Sequence, residues 1–380
     1  MNSSVVRHLS KADIIKNGSI FTPKEIVNRV KDLVSPYIDQ DSTVIDFGSG
    51  YGAFLEEFEK PHCCKLIATE IDDFSYSYLK ETFKVTDVRH ENSLLNIKDK
   101  DYTDKRIIVI GNPPYNDTTS QYKKGEKGKE LVDPQVYARD LGISFLKMYS
   151  EINAETICVL HPLSYLIKRA NFNSLKQFKN NYKLVRSIIF SSKLFESINK
   201  TNIEFPVVIA LYQRDEAGMT YEYIKSFNFE ILGSDKIFCL NNFHTIDSIV
   251  DKYPSKDKSD TDLQFYTIRD INALRRNTTF LTGRCANGVK VNEDDLYLYG
   301  WLDFFKRHFQ PKDYFLYENL SPLLPVNYTD EKFKDEVEKY IVNNNDIVKE
   351  YVIKNGWQVS SKINKTCNLD YLKAIVNSLN

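Results

Sequence analysis

The chain has 380 residues, 42% of them hydrophobic and 27% charged, with a formal net charge of −1 at pH 7. That length is enough for a sizeable core and two domains, and the composition is that of a folded globular protein rather than a disordered or fibrous one. A balance so near neutral excludes a uniformly basic nucleic-acid coat but leaves room for a local basic face.

Of the six cysteines, only Cys63 and Cys64 are close in sequence, no CxxC pair occurs, and the six histidines show no metal-ligand spacing. Reduced thiols and no metal are expected. Met1–Ser10 has no apolar signal segment. No apolar run approaches the roughly 18 residues that span a bilayer. A cytoplasmic location is expected.

The first informative segment is Asn17–Glu25. Thr22 to Glu25 reads as a capping box with Pro23 at the first helical position. A well-capped helix accounts for these residues, and the N–H groups at such a helix start can also bind a carboxylate. Thr43–Phe47 is a short apolar run ending at glycines, and reads as a buried strand. Asp46-Phe47-Gly48-Ser49-Gly50-Tyr51-Gly52 then opens a helix at Ala53–Phe58. Lys65–Glu70 is a second strand, and Phe74–Phe83 a second helix.

Glycines at the end of a strand allow a tight turn and a close backbone approach to a ligand. A carboxylate at Glu70, ending the next strand, can accept hydrogen bonds from two ribose hydroxyls. Gly48, Gly50 and Ala53 satisfy the dinucleotide pattern GxGxxA, so the loop by itself fits a nicotinamide cofactor or S-adenosylmethionine. Asp46 favours the second, because an acid there can meet a cationic ammonium, whereas a pyrophosphate gains nothing from it. A tight turn without any ligand is the plain alternative.

Arg106–Ile110 is the next strand, and Asn112-Pro113-Pro114-Tyr115 follows it. Two prolines remove two N–H donors and fix two φ angles. What remains is a rigid ledge of carbonyl acceptors where open α/β sheets bind ligands. An exocyclic amine has two N–H donors and a lone pair delocalised into its ring. The Asn112 side-chain carbonyl and the Pro113 backbone carbonyl can take one hydrogen each, and Tyr115 can stack on the base. A base within a duplex cannot reach such a ledge unless it is flipped out. The plain alternative is a proline turn.

Ala138–Ser150 is helical, Glu155–Leu160 a strand and Phe172–Asn180 a helix, with Leu184–Phe190 and Phe205–Tyr212 the last strong strands. The alternation predicts helices on both faces of a mostly parallel sheet. After Arg214 the segments become irregular, so a catalytic domain over 1–215 and a second domain over 216–380 are expected.

Phe21-Thr22-Pro23, the Asp46–Gly52 loop, Glu70-Ile71-Asp72 and Asn112–Tyr115, in this order, resemble the gamma-type amino-methyltransferases, the adenine-specific DNA methyltransferases of restriction-modification systems. The resemblance covers residues 15–213. It implies a seven-stranded Rossmann-like methyltransferase sheet, a C-terminal target-recognition domain, and methylation of the adenine amino group in double-stranded DNA by base flipping. It also implies that Phe21 and Thr22 line the methionine end of S-adenosylmethionine, and that Asp46, Gly48 and Gly50 form its loop. Glu70 would hold the ribose and Ile71 pack on the adenine ring. Asn92 stands where the family has an Asp near the adenine amino group. Asn112, Pro113, Pro114 and Tyr115 would hold the target, with Phe195 on its other face. Phe205 is the alternative to Phe195, and both are also plausible core residues.

The Lys123–Lys129 loop carries four lysines, and Arg269–Lys290 is the most basic stretch of the C-terminal part. Lys123, Lys124, Arg275, Arg276 and Arg284 are therefore candidate DNA contacts, with ordinary solvated surface as the alternative. A separate restriction endonuclease is the counterpart the resemblance implies, and a monomer is expected.

The tetrapeptide equally suits a cytosine amino group, an RNA base or a protein glutamine amide. Protein-directed enzymes usually carry a helical domain before the first strand, whereas here the long extension follows the sheet. No Glu-x-Lys occurs anywhere, which speaks against a fused two-metal nuclease. A nicotinamide dehydrogenase would leave Asn112–Tyr115 unexplained.

Overall fold

The protein is described from a computed structural model, which describes residues 22–59, 64–100, 102, 106–115, 132–195, 204–250, 254–267, 271 and 279–379. It divides into two compact units, Met1–Leu240 and Asn241–Asn380. Among the described residues no helix is long and apolar enough to cross a membrane.

The first unit is built on a nine-stranded sheet. Its strands are β1 (Ser42–Phe47), β2 (Lys65–Glu70), β3 (Asp87–His90), β4 (Arg106–Gly111), β5 (Thr156–Pro162), β6 (Tyr182–Ser191), β7 (Pro206–Arg214), β8 (Phe229–Ile231) and β9 (Ser234–Phe238). The order is β3-β2-β1-β4-β5-β7-β6-β8-β9. Strands β3, β2, β1, β4 and β5 run parallel, and β7 is inserted antiparallel between β5 and β6. This is the Rossmann-like methyltransferase sheet expected from the sequence. Beyond its seven strands, β8 pairs parallel with β6, and β9 pairs antiparallel with β8. Residues 216–240, expected in the second domain, therefore complete the sheet of the first unit.

Among the described residues the α-helices before β6 are α1 (Lys24–Val34), α2 (Leu55–Phe58), α3 (Asp73–Thr82), α4 (Leu141–Glu151), α5 (Ser164–Ile167), α6 (Arg169–Ser174) and α7 (Gln177–Asn181). Central strands β1 and β4 are almost wholly buried, and so read as continuous apolar runs. α1 turns Ile26, Val27, Val30 and Val34 onto one sheet face, where they join Val44, Ile108, Ile110 and Leu160. Each fully buried aliphatic side chain on that face contributes about 1.5–3 kcal/mol of stability by leaving water.

In the second unit Leu296–His308 and Glu331–Asn344 are the longest helices, beside a three-stranded sheet. Trp301 is fully buried there and donates from Nε1 to Leu323 O at 2.8 Å. The buried Asp303 carboxylate accepts from Thr279 Oγ1 (2.7 Å), from the Arg307 guanidinium and from Tyr340.

Candidate functional site

The carboxyl ends of β1, β2 and β4 bring three sequence-distant segments together. The loop after β1 turns sharply, with Gly48, Gly50 and Gly52 at φ of 70°, 55° and 76°. Gly48 N and Ser49 N both donate to Thr69 O at 3.0 Å, which ties this loop to the end of β2. A Cβ built on Gly52 would come within 2.4 Å of the Phe83 ring, so this position has to be glycine for the loop to pack against α3. A Cβ on Gly48 would stand 3.9 Å from Pro114 Cδ, which puts the glycine loop beside the proline ledge.

Asp46 is 1% exposed at the end of β1, and among the described residues its Oδ2 has no hydrogen-bond partner. Burial pushes its pKa up to about 8, against the nearby Ser49 hydroxyl, and the negative charge of Glu70 adds to the rise. An unpartnered buried carboxylate oxygen is costly. A cationic group is the partner that would relieve it, so these residues fit the ammonium of S-adenosylmethionine. Tyr149 lies close enough for the Asp46 charge to raise its pKa in addition to burial, and its hydroxyl also has no partner among the described residues.

Glu70 is buried at the end of β2. Its Oε2 accepts from Gly50 N at 2.8 Å, and its Oε1 from Ile71 N at 2.8 Å and Asp72 N at 2.9 Å. Burial raises its pKa, and these three N–H donors oppose the rise. A carboxylate offers about four acceptor positions, so one remains for a ribose hydroxyl rather than the two foreseen. Ile71 is 60% exposed, an apolar side chain left open at the strand end. Asn92 Oδ1 accepts from Leu94 N at 2.9 Å in a local turn.

Asn112 and Tyr115 leave β4 after Gly111. The Asn112 Nδ2 donates to Thr22 Oγ1 at 3.1 Å, and the Tyr115 hydroxyl donates to Asn112 Oδ1. The Tyr115 side chain is half-buried, and burial of its hydroxyl, with Asp140 nearby, pushes its pKa far up. The foreseen capping box is not formed. Pro23 holds the cap position with no side-chain cap bond, and Ile26 N and Val27 N bond to Pro23 O instead.

Beneath the ledge lies a polar group that the sequence did not single out. Asp140 caps α4 through Gly142 N (2.9 Å) and also accepts from the Tyr165 hydroxyl. The Tyr165 ring stacks on His161 at 5.3 Å and 12°. His161 Nδ1 bonds to Pro162 O at 2.9 Å, and a carbonyl can only accept, so Nδ1 carries the hydrogen. Nε2 then accepts from the Tyr212 hydroxyl at 2.7 Å. Burial lowers the His161 pKa to about 4, so the ring is neutral at physiological pH. Asp140, placed directly before an apolar run, carried a legible helix-start signal. The stacking of Tyr165 and His161 carried none.

Phe195 requires a correction. It is 0% exposed and packs edge-on against Phe190 at 5.6 Å, in the core under α1. It has no face to offer a base, because the apolar cluster surrounds it. Phe205 is partly buried against the same cluster. Phe21, Lys123, Lys124, Arg275 and Arg276 lie outside the described residues. Arg284 is exposed between the short strands Phe280–Leu281 and Gly288–Lys290 of the second unit.

Residues 57–195 match the Eco57I restriction-modification methylase family. That segment contains Glu70, Asn112–Tyr115 and Asp140. No curated protein matches the chain. Among solved structures, a protein of Listeria monocytogenes assigned to the class I S-adenosylmethionine-dependent methyltransferases is 15% identical, with 55% of this chain and 70% of that one covered and a TM-score of 0.39. The 23S rRNA methyltransferase ErmE is 13% identical, with 53% and 72% covered and a TM-score of 0.34. A Plasmodium falciparum dimethyladenosine transferase is 13% identical, with 52% and 64% covered and a TM-score of 0.34. Likenesses of this size carry no argument about the substrate.

Proposed function

We propose that this chain, an S-adenosylmethionine-dependent methyltransferase, methylates the exocyclic amino group of adenine in double-stranded DNA, as the modification arm of a restriction-modification system. The reading rests on one observation above all. Pro114 of the Asn112–Tyr115 ledge lies beside the glycine loop, and Gly111 just before it lies against the buried Asp46, with the ledge inside the segment that matches the restriction-modification methylase family.

S-adenosylmethionine, when bound, supplies a methyl group already activated on a sulfonium. The chain's own residues bind and orient. Asp46 would take the methionine ammonium at Oδ2, which has no hydrogen-bond partner among the described residues. Glu70 holds the loop through Gly50 and offers its remaining lone pair to the ribose. Ile71 gives the adenine ring an apolar surface. Asn112 Oδ1 and the Pro113 carbonyl each accept one hydrogen of the target amine, which directs the nitrogen lone pair outward and leaves catalysis to positioning and to fixed acceptors. Tyr115 lies against the flipped base. Arg275, Arg276 and Arg284, and separately Lys123 and Lys124, are the candidate contacts to the DNA backbone and bases.

The test is methyl transfer from labelled S-adenosylmethionine to unmethylated DNA, followed by nucleoside mass spectrometry. N6-methyladenine is expected. Methylated cytosine would change the base, and label found only in RNA or protein would overturn the DNA reading.

A further inference from the structure

Thr22 stands just before the cap of α1, and its side chain does not serve the helix. The cap position belongs to Pro23, and no side chain caps the first turn. The Thr22 hydroxyl, on a residue only 3% exposed, instead lies 3.1 Å from Asn112 Nδ2, 90 residues away in sequence. Among the described residues it is the sole hydrogen-bond partner of that nitrogen. The other end of the same amide, Oδ1, receives the Tyr115 hydroxyl.

An asparagine amide has an oxygen and an NH2 of nearly equal size, so rotation by a half-turn exchanges an acceptor for two donors at almost no steric cost. Both neighbours of Asn112 in this structure are hydroxyls, and a hydroxyl can give or accept. An amine that must surrender hydrogens is different. It is met productively only when Oδ1 faces it, and Nδ2 then needs an acceptor behind it. Thr22 Oγ1 is placed to be that acceptor.

We propose that Thr22 is a positioning residue for methyl transfer, holding the Asn112 amide with its oxygen toward the target. The inference rests on the amine-methylation reading above. It differs from the sequence expectation for Thr22, which put this side chain against the methionine end of the cofactor. Without the hydroxyl, the half-buried Asn112 NH2 loses that partner, and the amide turns away or presents donor to donor. The Tyr115 hydroxyl occupies the acceptor that the target amine would use, so the bonded geometry already has the productive orientation.

The test compares Thr22→Val, which keeps the shape and loses the hydroxyl, with Thr22→Ser, which keeps the hydroxyl. T22V is expected to lower kcat by roughly tenfold to a hundredfold, while the Kd for S-adenosylmethionine by calorimetry stays within about threefold. T22S is expected to stay within about threefold of wild type. A T22V kcat equal to wild type would overturn the proposal. So would a loss of activity matched by a rise in cofactor Kd, which would return Thr22 to the cofactor. T22S as impaired as T22V would assign the effect to packing of the methyl group and would also overturn it. A second measurement reads the contact without any reaction. In asparagine-15N-labelled protein, the Asn112 side-chain amide pair is identified by its loss in N112D. It is expected to shift and to exchange faster with solvent in T22V. An unchanged pair overturns the proposal even if the wild-type chain methylates DNA. A shifted pair in a wild-type chain that methylates neither DNA nor RNA would keep the contact and refute the substrate reading instead.

Discussion

The Asp46 carboxylate faces the α-carbon of Gly111 across the β1–β4 pair, so closely that a Cβ there would stand 2.5 Å from Asp46 Oδ1. Gly111 also holds φ of 137°, which side-chain-bearing residues rarely adopt. Gly111→Ala therefore meets both a backbone strain and a clash. It is expected to destabilise the first unit by about 2 kcal/mol or more. Urea titrations of wild type and variant measure this, and coincident midpoints would refute it.

The burial of Asp46 makes stability depend on pH. Its folded pKa, about 8, is raised above the ordinary 3.8. The folded chain keeps the proton that the unfolded chain releases. The stabilising contribution is full below about pH 4 and is lost as pH rises toward 8, at close to 1.4 kcal/mol per pH unit for one proton. Glu70 adds a slope of the same sign in both proteins. Asp46→Asn should therefore flatten the wild-type decline between pH 5 and 7.5 without removing it entirely. Equal slopes in the two proteins would show that Asp46 titrates normally.

Tyr115 combines a ring and a hydroxyl with separable roles. If the ring stacks on the base, Tyr115→Ala should lower kcat/KM for DNA by roughly tenfold to a hundredfold. Tyr115→Phe removes only the bond to Asn112 Oδ1 and should stay within about threefold of wild type. Steady-state kinetics on a methylatable oligonucleotide decides, and a Y115F loss as large as that of Y115A would make the hydroxyl the essential group.

Glu70 gathers three backbone N–H groups, from Gly50, Ile71 and Asp72. Glu70→Ala should loosen the glycine loop and raise the cofactor Kd by about tenfold or more. Calorimetry with S-adenosylmethionine tests this, and an unchanged Kd would confine Glu70 to shaping the turn.

Much of the sheet was legible because its central strands are buried on both faces. Thr43–Phe47, Lys65–Glu70 and Arg106–Ile110 each read as a strand, and each is one within a residue or so of its expected ends. Asp87–His90 was not legible, since only Val88 of its four residues is buried at this sheet edge. Ser234–Phe238 hid for the same reason, with four exposed residues in five. The helix foreseen over 172–180 is broken into α6 and α7, because Lys176 adopts φ of 49° between them. The glycine loop and Asn112–Tyr115 carry local chemistry and so announced themselves. The Thr22–Asn112 bond is made by tertiary proximity alone, and a capping motif at Thr22 pointed to a different partner. Phe195 could not be separated from a core phenylalanine by sequence, since ring and context are alike in both settings.

The insertion of β7 between β5 and β6 has a consequence for synthesis. β5 and β6 do not touch each other as neighbours; each is bonded along its length to β7, which emerges last of the three. While the ribosome is still short of residue 206, β5 and β6 carry open apolar edges that nothing yet covers. The family-matched stretch 57–195 ends inside that window. Made alone, it would lack the strand that joins β5 to β6, and would be a sticky nascent intermediate rather than a minimal enzyme.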